Sequence, residues 1–324
     1  MTRTFGIITL GVALLLVLGC SDDLPKSFKA IPAGTKMMAT IDAPGLIRTM
    51  EQAAKGLAPD KTKAHGEQFK LLSKQALDLL GVDIRQLKTL LLIGDPDNPA
   101  RSAILAEGLR IEGLKANKQG DRHGIPVFSL PLGMFAAELP EMGVVIASGQ
   151  TGLHAVIDAW TGKAKRLADS KDGKIIERLL NTDKDLDLLR VYILGVKMPK
   201  MPLLSINFHA AGLFLHGDRG VVAALLSDEA GAKDLASTLR KGISSLQMVM
   251  AFGGAAALTD DSPIPLDKAS AELLMRLVAK LSSSREKDMV KVSCKADIKP
   301  LLAKATEVGF DQLQVEMPPA NNKP

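Results

Sequence analysis

Cysteine occurs twice in 324 residues, and the aromatic residues are one Trp, one Tyr and nine Phe. Two thiols cannot build a disulfide scaffold. So few rings leave little for the stacking platforms that bind single-stranded nucleic acid or sugars. No Gly-x-Gly-x-x-Gly or Walker-type loop occurs, so dinucleotides and nucleoside triphosphates lack their usual phosphate cradle and no cofactor is expected. Charge of one sign is also modest, with 41 Lys and Arg against 36 Asp and Glu, a net +5. The densest basic run, Lys163, Lys165, Arg166, Lys171 and Lys174, is interrupted by Asp169 and Asp172 and reads as a solvated linker, so no nucleic-acid partner is expected. What is present, 46% hydrophobic and 24% charged residues, is an ordinary globular composition with length for one large or two smaller domains.

The first twenty residues are the most informative. A single cation, Arg3, precedes an uncharged run from Phe5 to Leu18. As a helix that run spans about 21 Å against a hydrocarbon core of about 30 Å, which suits a secretory signal better than a permanent spanning segment. It ends in Val17-Leu18-Gly19-Cys20. This tetrad resembles the lipobox of bacterial lipoproteins, in which small residues before the cysteine admit the signal peptidase and the thiol takes a diacylglyceryl group. The resemblance implies cleavage after residue 19 and lipidation at Cys20. Ser21, rather than Asp, follows the cysteine, which in the enterobacterial pattern permits export to the outer membrane. Residues 20–32 are polar, contain Pro25 and read as a tether.

Beyond the tether the pattern predicts alternating strands and helices. Met37 to Ile41 is a strand leading into a helix at the Asp42-Ala43-Pro44-Gly45 turn. Phe69, Leu72, Ala76, Leu79 and Leu80 form a helical stripe stopped by Gly81. Leu90–Ile93 and Ala103–Ala106 form a pair around a turn-rich loop, strands lie at Gly124–Phe128 and Gly143–Ala147, and a helix covers Leu153–Trp160. After the proline-broken segment Lys197–Pro202, Ile206, Phe208 and Ala210 share a face and, across a turn at Ala211-Gly212, pair with Leu213 and Leu215. A strand from Gly220 leads to a helix from about Glu229, capped by Ser227 or Asp228, with Ala232, Leu235, Leu239 and Ile243 inside. Leu273 to Leu281 is helical, Val290 to Cys294 is a strand, and Asp297 caps a further helix. The Gly-Val-Val openings at 143 and 220 suggest a repeated unit. The fold expected is α+β: repeated β-hairpin/helix units forming antiparallel sheets with helices packed on one face. A first domain covers 33–165, a second 200–312, and residues 313–324 form a flexible tail. The order of elements is loosely similar to that of uncharacterised bacterial lipoprotein families, which implies no particular activity.

Candidate chemistry is incomplete everywhere. Ser284-Arg285-Glu286-Lys287 has Ser-x-x-Lys spacing but lacks the companion motifs and reads as a charged helix end; Ser148-Gly149 lacks the first glycine of a nucleophile elbow. Asp183, Asp185 and Asp187 begin a calcium loop that fails at Leu188 and Leu194. His209 and His216, with Asn207 and Asp218, fall on the wet face of the expected hairpin and could hold a metal, although polar sheet residues are the plainer reading. His65, His123 and His154 show no ligand spacing. Met198, Met201, Met248 and Met250 read as linker and core rather than Cu(I) ligands, and Cys294 as an inert buried thiol. The sequence therefore points to a non-enzymatic, lipid-anchored envelope protein that binds a ligand or an envelope protein partner. A hydrophobic-ligand carrier and an unrecognised metal-dependent hydrolase are the alternatives.

Overall fold

The structure, a computed structural model, describes residues 26–55, 70–71, 73–96, 98–180, 188–195, 208–216, 219–253 and 268–296. It is mixed α+β, with twelve strands in one antiparallel sheet. The strands are β1 (Met37–Asp42), β2 (Thr89–Gly94), β3 (Ala103–Ala106), β4 (Asn117–Arg122), β5 (Ile125–Ser129), β6 (Phe135–Leu139), β7 (Gly143–Ala147), β8 (Leu189–Leu194), β9 (Phe208–His216), β10 (Arg219–Leu226), β11 (Leu281–Glu286) and β12 (Met289–Cys294). Helices are α1 (Ala43–Lys55), α2 (residues 73–80), α3 (Gln150–Trp160), α4 (Lys171–Leu180), α5 (Glu229–Gly253) and α6 (Lys268–Ala279).

The order across the sheet is β11-β12-β10-β9-β8-β1-β2-β3-β7-β6-β5-β4. Inside it lies the antiparallel pairing of β1 with β8, Met37 opposite Ile193 and Ile41 opposite Leu189, with five strands on one side of the seam and seven on the other. Outward from that seam the two arms follow the same course: β1-β2-β3-β7-β6 on one side and β8-β9-β10-β12-β11 on the other. That shared strand order matches β7 with β12 and β3 with β10. The shared Gly-Val-Val opening instead pairs β7 with β10, two strands in different positions of their arms.

Strand residues alternate between two cores, as a period of two requires. Met38, Leu91, Ile93, Leu105 and Val145 join Leu153, Val156 and Ile157 of α3, Ile176 and Leu179 of α4, and Tyr192, Phe214 and Leu225 from the other arm. Ile41, Leu90, Ala106 and Val144 join Leu46 of α1, with Ala76 and Leu80 of α2 against them. Helices thus flank both faces, which corrects the expected one-sided packing. It also explains the near-continuous apolar runs of β2 and β7, since a strand covered on both sides has no wet face.

Other local readings change too. Residues 208–216 form one nine-residue strand with no turn at Ala211-Gly212. The hairpin lies between β9 and β10, with His216 opposite Arg219. The basic run is not a free linker: Leu167 is fully buried, Arg166 donates to the carbonyls of Ala159 and Trp160, and α4 follows. Residues Lys26–Ala30 form a 3-10 turn whose Phe28 and Ala30 are buried, so the last part of the expected tether belongs to the folded body. One sheet and one shared core join the stretches 33–165 and 200–312. The Asp228 carboxylate accepts from the Gly231 amide at 2.6 Å and caps α5, as read from sequence. The linker 197–202, Asp297 and the tail 313–324 lie outside the described residues.

Candidate functional site

The polar site with the most structure around it lies where β4, α3 and the loops at 32–35 and 164–165 meet. Arg122 ends β4 and pairs with Ile125, so the connection to β5 is the two-residue turn His123-Gly124. Both residues have positive φ, 53° and 80°, as a type I′ hairpin turn requires. Glycine adopts this region freely and histidine does not. The turn delivers Arg122 and His123 side by side onto Asp158, one turn from the end of α3. Arg122 Nε donates to Asp158 Oδ1 at 2.6 Å, Arg122 Nη2 donates to Oδ2, and His123 Nε2 lies 3.0 Å from Oδ1. The bidentate guanidinium holds the Asp158 carboxyl below the usual carboxylate range, against the opposing effect of partial burial. His154, four residues earlier on the same helix face, is lowered by partial burial and by the nearby Arg122 cation, and so favours its neutral form.

This cluster borders a cleft of about 530 Å³ whose wall includes Thr35, Ile93, Asp95, Arg101, Lys165 and Ala155 beside Arg122, His154 and Asp158. Its backbone frame is closely tied. The Ala33 amide donates to the Lys165 carbonyl at 2.9 Å, the Leu167 amide donates to the Ile31 carbonyl at 2.8 Å, and Thr35 Oγ1 donates to the Pro32 carbonyl at 2.8 Å. Gly152 lets α3 lie against the turn Pro99–Arg101: a Cβ there would come within 2.9 Å of the Ala100 carbonyl oxygen. That contact sets Arg101 at the cleft beside Thr151, which also lines it.

None of these residues stood out as a site in the sequence, where His123 and His154 read as scattered. The i, i+4 spacing of His154 and Asp158 on an expected helix was visible, whereas Gly124 read only as the start of a strand. The 35 residues separating His123 from Asp158 concealed their meeting. The two histidines weighed as metal ligands, and read more plainly as polar sheet residues, do not come together. His209 and His216 are seven residues apart on one strand, about 23 Å. Among the described residues no group of three or more His, Cys, Asp and Glu could hold a metal ion. His65, the acidic triplet 183–187, Met198, Met201, Asn207 and Asp218 lie outside the described residues. Met248 is exposed on α5.

Ser284 lies on edge strand β11 and Lys287 in the following turn, not on a helix where the lysine could reach back to the serine. Ser148 donates to the Pro99 carbonyl at 3.3 Å. Cys294 is partly buried, its thiol pushed up by desolvation, and it donates to the Leu277 carbonyl at 3.4 Å. Among the described residues no helix is long and apolar enough to cross a membrane.

The chain matches no protein-family model and no curated protein. It is similar to solved structures of TP0453. Crystal form III aligns at 8% identity and a TM-score of 0.41 over 86% of this chain and 97% of that one. Crystal form I aligns at 9% identity and 0.42 over 87% and 97%. Crystal form IV aligns at 9% identity and 0.36 over 89% and 96%.

Proposed function

We propose that this chain is a lipid-anchored protein of the cell envelope, held at the outer membrane through Cys20 and acting without catalysis, by binding a ligand or an envelope protein partner. The observation that carries the reading is the uncharged run Phe5–Leu18 closing on Val17-Leu18-Gly19-Cys20. Each acyl methylene buried in a bilayer contributes about 0.8 kcal/mol, so one chain holds marginally and two or three hold firmly. Lys26, in the first described element, is six residues after the cysteine, a reach of at most roughly 20 Å. An anchor that short keeps the body beside the bilayer, facing the periplasm or the cell surface. Support for a non-catalytic role comes from the dispersal of the candidate motifs: Ser284 and Lys287 on a sheet edge, and His209 and His216 at opposite ends of one strand. The test is metabolic labelling with a clickable palmitate analogue. Wild type is expected to carry the label and to partition into detergent, and Cys20→Ser to lose both properties; equal labelling of the two overturns the anchor.

A second reading, a carrier of hydrophobic ligands, has one observation in its favour. On the sheet face that bears Leu189 and Val191, Ile193 is 40% and Val222 50% exposed, with Leu213 and Val292 between and beside them by register. Apolar side chains left open on a central part of a sheet favour an apolar ligand. Native mass spectrometry of protein released from membranes should then show copurified lipid, lost in Val222→Asp; lipid-free wild type excludes the carrier.

A further inference from the structure

We infer that the cleft beside Asp158 takes a small organic anion, its charged oxygens met by Arg101 and Lys165 and its apolar part lying along Ile93 and Ala155. The reasoning is a charge balance. Two carboxylates line the cleft, and both are already engaged: Asp158 by Arg122 and His123, Asp95 by Lys36 at 3.5 Å. Two further cations, Arg101 and Lys165, line the same cleft and make no ion pair or side-chain hydrogen bond among the described residues. Uncompensated cations at a concave, partly apolar wall focus a positive potential into the space they share.

The backbone that carries both is tied in place. Arg101 closes a 3-10 turn whose Arg101 and Ser102 amides donate to Asn98 and Pro99, and Lys165 is bound through its carbonyl to Ala33. Thr151, in the first turn of α3, adds a hydroxyl, and that helix opens at Gly149 with no side-chain cap. His154 feels the cationic surroundings, its pKa lowered by burial and then by Arg122. A volume of about 530 Å³ exceeds what a bare inorganic ion fills, and Ile93, Ala155 and Ala164 supply apolar wall for the remainder of a ligand. The chemical class is therefore a phosphate or carboxylate ester-sized anion with a short hydrocarbon part.

This deepens the binding role proposed above and rests on it, but not on the anchor, which the Cys20 labelling scores separately. The experiment is isothermal titration of the full-length protein in nonionic detergent with phenyl phosphate, beside inorganic phosphate and benzyl alcohol. Phenyl phosphate is expected to bind more tightly than inorganic phosphate, and benzyl alcohol to give no heat. Arg101→Gln and Lys165→Gln should each weaken phenyl phosphate roughly tenfold, while Lys163→Gln, outside the cleft, leaves it unchanged. Both altered residues are exposed, and matched thermal melts verify folding; the charge-keeping pair Arg101→Lys and Lys165→Arg should retain binding. No binding of phenyl phosphate to wild type, unchanged affinity in the two cleft variants, or equal loss in all three Gln variants overturns the inference. Inorganic phosphate binding as tightly as phenyl phosphate overturns the apolar half of it.

Discussion

At the scale of single residues, Asp158 is the hub of the site, because it alone satisfies both Arg122 and the strained His123 turn. Its carboxyl is held below the ordinary range, so its contribution to stability is complete above the unfolded value of about 4 and is lost as pH falls through the lower, folded value. Asp158→Asn should cost about 1 kcal/mol at neutral pH, and the gap between variant and wild type should close as pH falls through the folded value. Urea midpoints measured across that range check it; a gap that persists in acid contradicts the assignment. A second residue-scale test concerns the two glycines that looked equivalent in sequence. Gly143 has φ 110°, and a Cβ there would sit 2.3 Å from the Ala106 carbonyl oxygen. At Gly220, whose φ is not in the left-handed region, the nearest atom is the flexible tip of Leu215 at 3.1 Å. Gly143→Ala should therefore destabilise by about 1–3 kcal/mol and Gly220→Ala by less than about 1, read from the same urea midpoints.

At the scale of elements, the strands that were legible in sequence are those with apolar faces: Met37–Ile41, Leu90–Ile93, Gly143–Ala147 and Val290–Cys294 all stand within a residue or two of the observed β1, β2, β7 and β12. The strands that were not legible include both outermost ones, besides β6 and β8. β4 reads NKQGDR and is largely exposed, and β11 reads LSSSRE, whose half-buried positions are Leu281 and Ser283, so neither shows hydrophobic alternation. Their polarity is what guards an open twelve-stranded sheet from pairing with another copy. Lys118 and Asp121, paired at 3.2 Å on β4, belong to that guard. Replacing both with Val should convert β4 into an adhesive edge and raise the share of oligomer in light scattering at fixed concentration; an unchanged monomer share argues that the edge is protected otherwise. β8 escaped notice for the opposite reason. It is central, mostly buried apart from Ile193, and carries Arg190 at 4% exposure, so it shows neither alternation nor an uninterrupted apolar run.

At the scale of the whole molecule, the sequence suggested two domains because proline-broken and charged stretches separate two runs of strands. The structure joins those runs twice. The β1–β8 seam hydrogen-bonds one arm to the other, and Tyr192 of β8 meets Phe214 of β9 edge to face, their centroids 5.6 Å apart, inside a core shared with Met38, Leu153 and Ile176. Arg178 of α4 adds a bidentate clamp on Asp288 in the β11–β12 turn, at 2.6 and 3.1 Å. Long-range pairing of this kind is invisible to local pattern, since β1 and β8 lie about 150 residues apart and neither encodes its partner. It carries a thermodynamic consequence: neither arm can unfold without exposing the shared core and opening a buried sheet edge on the other. The only tryptophan, Trp160, ends α3 in the first arm and packs against that core. Its fluorescence should therefore lose native character at the same denaturant concentration as the hydrogen-exchange protection of β9, β10 and β12 in the second arm. Two separated transitions would mean that the seam at β1–β8 is too weak to couple the arms.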